Sequence, residues 1–181
     1  MDALELLAHD HRMVEQLFRD YGAAASDGQR RGVVEVLIRE LSKHAALEEL
    51  TVYPLARHVL PEGAVDVDEH LAEHMAVKKT LLALDKLTEG ADEEKDLLAE
   101  LQREITEHVA EEEGRFLPAL RGAVDEEALQ ELGQQLDRAK QLAPTRPHPN
   151  IPDRPPAEAI LGAVGAIFDR LRDRLQGRPQ T

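Results

Sequence analysis

The sequence predicts an all-α protein, an up-down-up-down four-helix bundle with an additional C-terminal helical extension. Leu, Ala, Glu, Arg and Gln dominate a chain that is only 3% aromatic, a composition of strong helix formers. No stretch sustains the apolar/polar alternation of a half-buried strand. Four long segments instead repeat apolar residues at three- and four-residue spacing, and their short connections favour antiparallel neighbours.

The elements follow from pattern and caps. A first helix is expected over 2–25, with Asp2 as N-cap and Glu5 completing a capping box. Gly28 and Gly32 flank the turn into a second helix over 29–58. After a loop with Pro61 and Gly63, Asp66 and Glu69 mark the start of a third helix that ends near Gly90. The fourth runs over 92–122 and a fifth over 125–142. Residues 143–156 hold most of the prolines and read as an extended linker. A last amphipathic helix follows, with the stripe Ile160, Val164, Ile167, Leu171 and Leu175. The expected organisation is a bundle over 1–122, a fifth helix within 123–142, a Pro-rich linker over 143–156 and an amphipathic C-terminal helix within 157–181. That last helix is expected to pack on its own bundle or on a second subunit, so monomer and homodimer both stay open.

Composition narrows the function classes. With no cysteine, disulfides, thiolate metal sites and cysteine nucleophiles are excluded, and any metal must be held by nitrogen and oxygen. A formal net charge of -14 argues against a nucleic-acid partner. The N-terminus has no basic and apolar leader pattern, and the longest mostly apolar run, 159–168, is too short to span a bilayer. A cytoplasmic protein with no transmembrane segment is the expectation.

Eight histidines in so acidic a chain are the first sign of chemistry. His44 and Glu48 are four residues apart, with Pro54 ten residues after the histidine; His108, Glu112 and Pro118 repeat that spacing. His70 and His74 form a third pair four apart. Residues at this spacing share one helical face. Each pair also interrupts an apolar stripe that resumes beyond it: Val34, Leu37, Leu41 then Leu55; Val67 then Val77, Leu81; Leu101, Ile105 then Phe116. A buried carboxylate is costly unless paired or bound to a cation. On the first helix, His11 continues the stripe Leu4, Leu7, Val14, Phe18, whereas His9 falls among Glu5, Arg12 and Gln16. In an up-down bundle these four regions share one end. His9, His58 and His148 read as surface residues. Tyr53 reads either as ordinary core packing, the plainer reading, or as a hydrogen-bond donor or ligand at an open face of the layer. Met13, Met75, Phe18 and Phe116 are expected to wall the layer.

This pattern resembles the hemerythrin-like, or HHE cation-binding, family over about residues 1–122. That family is a four-helix bundle around a non-haem di-iron centre. The resemblance implies the ligands His11, His44, Glu48, His70, His74, His108 and Glu112. The chain departs from the oxygen-carrying hemerythrins on the fourth helix, where Glu112 stands one position before their Asp and Glu113 is the fallback ligand. It implies two iron ions with an oxo or hydroxo bridge, and manganese as a substitute. Five imidazoles, two bridging carboxylates and one bridging oxygen fall one bond short of the about twelve that two octahedral ions take, which leaves a position for a small molecule. The expected function is binding and redox processing of hydrogen peroxide, NO or O2, as a peroxide-decomposing or NO-reducing oxidoreductase whose electron donor is unknown. The alternative is O2 or iron binding or sensing without turnover. Iron storage is disfavoured, because nothing suggests a cage-forming subunit.

Overall fold

The computed structural model describes residues 1–149, the side chain of residue 64 excepted. The expected C-terminal helix and the end of the linker lie outside the described residues. Helix α1 spans Ala3–Ala23 and opens on a complete capping box. Asp2 accepts from the Glu5 backbone N–H at 2.9 Å, and Glu5 accepts from that of Asp2 at 3.0 Å. Helix α2, Asp27–Leu47, starts two residues before the expected point, because Ser26 accepts from the Gln29 N–H at 3.2 Å and caps it.

The second and fourth rods are not continuous α-helices. Helix α2 passes into a π turn, π1, over Glu48–Val52, and then into α3, Tyr53–Val59. The fourth rod repeats this with α5, Glu94–Glu111, the turn π2, Glu112–Phe116, and α6, Leu117–Ala123. In π1 the Tyr53 N–H donates to the Glu48 carbonyl, and in π2 the Leu117 N–H donates to that of Glu112. The prolines explain the position. Pro54 and Pro118 have no N–H for the carbonyls four residues back, at Leu50 and Gly114, so the α-helical ladder is already broken there. Leu50 and Gly114 both lie on exposed faces.

Helix α4, Gly63–Lys86, begins a turn before Asp66, and Glu62 at its N-cap makes no side-chain cap bond. Gly63 permits this start: a Cβ there would lie 2.1 Å from the Ala56 carbonyl oxygen at the end of α3. Asp66 instead accepts from Arg115 at 2.7 Å, tying α4 to π2. Helix α7, Glu126–Lys140, is capped by Asp125 and buries Ala128, Leu129, Leu132, Gly133 and Leu136. It packs chiefly on α1.

The core is split in two. One apolar cluster joins Leu4 and Leu7 of α1 to Leu55, Val67, Phe116 and Leu120, and α7 closes it with Leu129, Leu132 and Leu136. The other holds Val14, Phe18, Val34, Leu37, Leu41, Val77, Leu81, Leu101 and Ile105. In sequence, His11, His44, His70, His74 and His108 fall where each rod passes from one cluster to the other. No helix among the described residues is long and apolar enough to cross a membrane.

The α1–α7 contact is a backbone approach. A Cβ on Gly133 would lie 2.8 Å from Met1 O, Asp2 C and Ala3 N. Gly133→Ala is therefore expected to cost about 1–3 kcal/mol, read as a lower thermal midpoint. Gly22→Ala, with nothing within 4 Å of its added Cβ, is expected to leave the midpoint unchanged or raise it. Equal midpoints for the two variants would refute this account of α7 docking.

Candidate metal centre

Four helices deliver side chains to the layer between the two apolar clusters. Glu48 and Glu112 stand at the first residue of π1 and π2, and both have no exposed surface. His11, His44, His70, His74 and His108 are all buried. His44 Nε2 lies 3.3 Å from Glu48 Oε1, and His74 Nε2 lies 3.3 Å from Glu48 Oε2. Glu112 Oε2 lies 3.2 Å from His11 Nε2 and 3.7 Å from His108 Nε2. Each carboxylate thus spans from one imidazole pair to the other. Within the pairs, His11 Nε2 is 3.2 Å from His44 Nε2, and His74 Nε2 is 3.4 Å from His108 Nε2.

These contacts do not form a satisfied hydrogen-bond network. Both oxygens of Glu48 and both of Glu112 are buried without a hydrogen-bond partner. Nitrogens facing one another at such distances share at most one proton between them. Donor atoms of His11, His44, Glu48 and Glu112 fall within 4.8 Å of one another, as do those of Glu48, His74 and His108. A donor set of buried imidazoles and two carboxylates, with no hydrogen-bond partner for any carboxylate oxygen, suits a cation of intermediate hardness. The residues fit a metal site, and Glu48 belongs to both groups.

His70 is placed differently. Its Nε2 faces Glu111 at 3.1 Å and its Nδ1 faces Glu73 at 3.4 Å. Its ring lies 5.2 Å from that of His108 and 4.6 Å from that of Phe116. It borders the second group without sharing a point with Glu48; a further cluster joins it to Glu73 and His108. His9, His58 and His148 are exposed.

Behind the layer stands a rim of carboxylates, of which the sequence reading named only Glu113, as a fallback ligand. His11 Nδ1 donates to Glu113 at 2.9 Å, His74 Nδ1 to Glu49 at 3.0 Å, and His108 Nδ1 to Glu73 at 2.7 Å. His44 Nδ1 faces Asp10 at 3.6 Å, and Lys140 of α7 pairs with the same Asp10. A carboxylate can only accept, so Nδ1 carries the proton and Nε2 points inward, the arrangement that orients metal-binding histidines. Glu113 therefore sits outside the layer, held by Arg12 at 2.8 Å, while Glu112 occupies it. The signal was present: Asp10, Glu49, Glu73 and Glu113 each stand next to a residue already picked out, about 100° round the helix and so turned towards a neighbouring rod.

Tyr53 is also in the layer. It is 1% exposed, and its hydroxyl lies 3.0 Å from His74 Nε2, the nitrogen that faces inward. Closing a turn over five residues returns the fifth residue towards the face of the first, so π1 brings Tyr53 round beneath Glu48. Burial and then the charges of Glu48 and Glu112 push the Tyr53 hydroxyl well above the usual tyrosine range, so it keeps its proton.

Burial alone would lower the pKa of His44, but Glu48 and Asp10 outweigh it and raise it to about 10. For His74 burial is likewise overcome, by Glu48 and Glu49, and the value rises to about 9. Burial raises Glu48, but His44 and His74 hold its carboxyl well below the usual range. Without a metal, Glu48 is therefore an ionised acid neutralised by the protonated His44 and His74.

The family model described as hemerythrin HHE cation binding domain matches residues 2–120. An uncharacterized hemerythrin-like protein of Schizosaccharomyces pombe is 28% identical over 171 residues, covering 94% of this chain and 84% of that protein. A DNA nickase of a Nostoc species is 25% identical over 140 residues; the match covers 77% of this chain and 39% of the nickase. The crystal structure of a hemerythrin HHE cation binding domain-containing protein from Mycobacterium kansasii superposes with a TM-score of 0.66 at 21% identity, over 95% of this chain and 93% of that one.

Two outcomes follow from the geometry. Because His44 and His74 are protonated at neutral pH in the metal-free protein, a cation that takes their Nε2 must displace protons. Their raised values mean that affinity should climb as pH rises from 6 towards 9. Calorimetry in buffers of different ionisation heat will register proton release at pH 7, and a pH-independent affinity would contradict the assignment. Separately, Glu49→Gln, which weakens the acceptor at His74 Nδ1, is expected to lower metal affinity about 10–100-fold, measured by chelator competition. Unchanged affinity would remove Glu49 from the site.

Proposed function

The chain belongs to the hemerythrin HHE cation-binding family, and on that premise we propose that it is a non-haem di-iron protein that binds and redox-processes a small oxidant or diatomic gas, namely hydrogen peroxide, NO or O2. One observation supports this reading above the others: two fully buried carboxylates, each reaching from one imidazole pair to the other, with no hydrogen-bond partner for any of their four oxygens. His11 and His44 would hold one ion, and His74 and His108 the other. Glu48 and Glu112 would bridge them, and His70 would join the second ion by turning its ring from Glu111. Such a pair of ions supplies electrons and Lewis acidity.

The chain's own residues do the rest. The carboxylate rim holds Nδ1 of His11, His74 and His108, so that their three Nε2 atoms are aimed inward before any ligand arrives. The apolar clusters on either side exclude water from the layer. Tyr53 keeps a proton on its hydroxyl at the inner face, where it can be given to an oxygen that gains electrons. Phe116, packed edge-on against both Tyr53 and His70, holds these two rings in place.

The test is reconstitution with ferrous salt under anaerobic conditions. Two iron ions per chain should bind, and mixing with hydrogen peroxide, NO or O2 should oxidise or ligate them with a new charge-transfer absorption. Tyr53→Phe should keep the iron yet slow peroxide turnover by about 100-fold or more, the range of a lost general acid. Iron-loaded protein that consumes none of the three removes the catalytic reading. A stable, slowly exchanging O2 adduct without turnover favours a binding or sensing role instead.

A further inference from the structure

A cavity of about 310 Å³ lies between α1 and α5 and reaches the metal layer at His11. Its inner wall is His11, Phe18, Ile105 and Val109, while Glu15, Arg19 and Thr106 stand on the exposed rim. His11 is 4% exposed and closes the inner end: its Nδ1 bonds Glu113, a lining residue, and its Nε2 belongs to the donor group with Glu112, so the cavity touches the layer at one imidazole.

Size is informative. Hydrogen peroxide, O2 and NO are each comparable to one or two waters, and a water's share of liquid volume is about 30 Å³. The cavity is many times larger and stands at the lower end of the roughly 300–1,000 Å³ seen for pockets that hold organic ligands. A passage for diatomic gases alone needs none of that width. Charge narrows the class further. Glu15 meets Arg19 at 4.0 Å and Glu113 meets Arg12 at 2.8 Å, so each rim charge already has an opposite neighbour. The chain's net charge of -14 disfavours an anion. What fits is a neutral molecule with a compact apolar body and one small polar end.

Resting on the redox reading above, we propose that this cavity binds neutral organic hydroperoxides, ROOH, with R against Phe18, Ile105 and Val109 and the –OOH end towards His11. The reaction balances as a two-electron reduction. The O–O bond breaks, two electrons come from two ferrous ions that become ferric, and two protons yield ROH and water. The alcohol leaves by the way the hydroperoxide came. Reduction of the ferric pair for a further cycle is a separate step and is not needed for a single turnover.

The experiment has a binding arm and a kinetic arm, both on the full-length chain. In the first, the zinc-loaded protein, which cannot oxidise or reduce, is titrated with 2-phenylpropan-2-ol, the product alcohol of cumene hydroperoxide, and followed by 1H–15N NMR. Shifts should concentrate at Thr106, Val109, Ala110 and the facing turn of α1. They should be lost in Val109→Phe, which fills the cavity, and in Ala110→Phe, a rim variant that leaves the buried wall intact. In the second arm, anaerobic ferrous protein is mixed with cumene hydroperoxide or with hydrogen peroxide. The wild type should be oxidised by the organic peroxide at least as fast as by hydrogen peroxide at equal concentration. Either Phe variant should lower the ratio of the two rates tenfold or more. Scattered or absent shifts, or a rate ratio that neither variant moves, overturns the cavity assignment while hydrogen peroxide turnover leaves the redox reading standing. Ferrous protein inert to both peroxides sinks the redox reading, and the NMR arm then still decides whether the cavity takes the apolar body.

Discussion

The structure turns on two carboxylates, Glu48 and Glu112, that have no contact with solvent and no hydrogen-bond partner. Taking an ionised carboxylate out of water costs several kcal/mol even after relaxation. A fully buried leucine returns only about 1.5–3 kcal/mol. The two acids therefore offset the contribution of several core residues, in a layer that separates one apolar cluster from the other. In the metal-free chain, the compensation is the protonation of His44 and His74. Protonated imidazoles satisfy charge, but they leave the oxygens of Glu48 and Glu112 without a hydrogen bond. A bound cation satisfies both charge and direction, which is why a metal centre accounts for the layer better than a purely structural ion network.

The two π turns are the local device that makes this layer possible. Both begin on the buried glutamate and both are followed, six residues on, by a proline that cannot complete the α ladder. The wider turn changes the helical phase below each glutamate. It brings Tyr53 beneath Glu48 and lets Phe116 close the layer from the other rod, the two rings meeting 5.9 Å apart at 79°. The repeat in sequence is thus a repeat in backbone geometry, and the difference between Tyr53 in one copy and Leu117 in the other makes the two halves chemically unequal. Only the first copy places a hydroxyl at the inner face.

Much of this was legible in the sequence because burial and periodicity carry it. The stripes interrupted by His44/Glu48, His70/His74 and His108/Glu112 required those residues to face inward, and the choice of His11 over His9 followed from the same phase. The π turns were not legible, since a regular period of 3.6 residues per turn was read up to Pro54 and Pro118; Tyr53 stood in that reading as core packing or as a hydrogen-bond donor or ligand at the layer, and its hydroxyl lies 3.0 Å from His74 Nε2. Asp66 was read as a cap on the strength of its spacing to Glu69, yet it pairs with Arg115 across helices, a contact that no local pattern encodes. Of the rim, Glu113 was named only as a fallback ligand, and Asp10, Glu49 and Glu73 escaped for a related reason. Acidic residues are so common on this chain that an acid beside a ligand position reads as solvated surface until the neighbouring helix is in place.

The rim also shows that the site is larger than the segment that matches the family. That match ends at residue 120, and α7 begins at Glu126. Yet Lys140, in the last turn of α7, pairs with Asp10, and Asp10 faces His44 Nδ1. Asp10 is buried, and although burial raises its pKa, His44 and Lys140 together hold it below the usual range. The charge that faces His44 is thus paired with a helix outside the matched domain. Gly133, seven residues before Lys140, has no side chain and lets α7 lie directly on the backbone of residues 1–3. The helix that lies on the α1 backbone at its middle, Gly133, thus carries near its end the lysine that pairs with Asp10 beside the His44 imidazole.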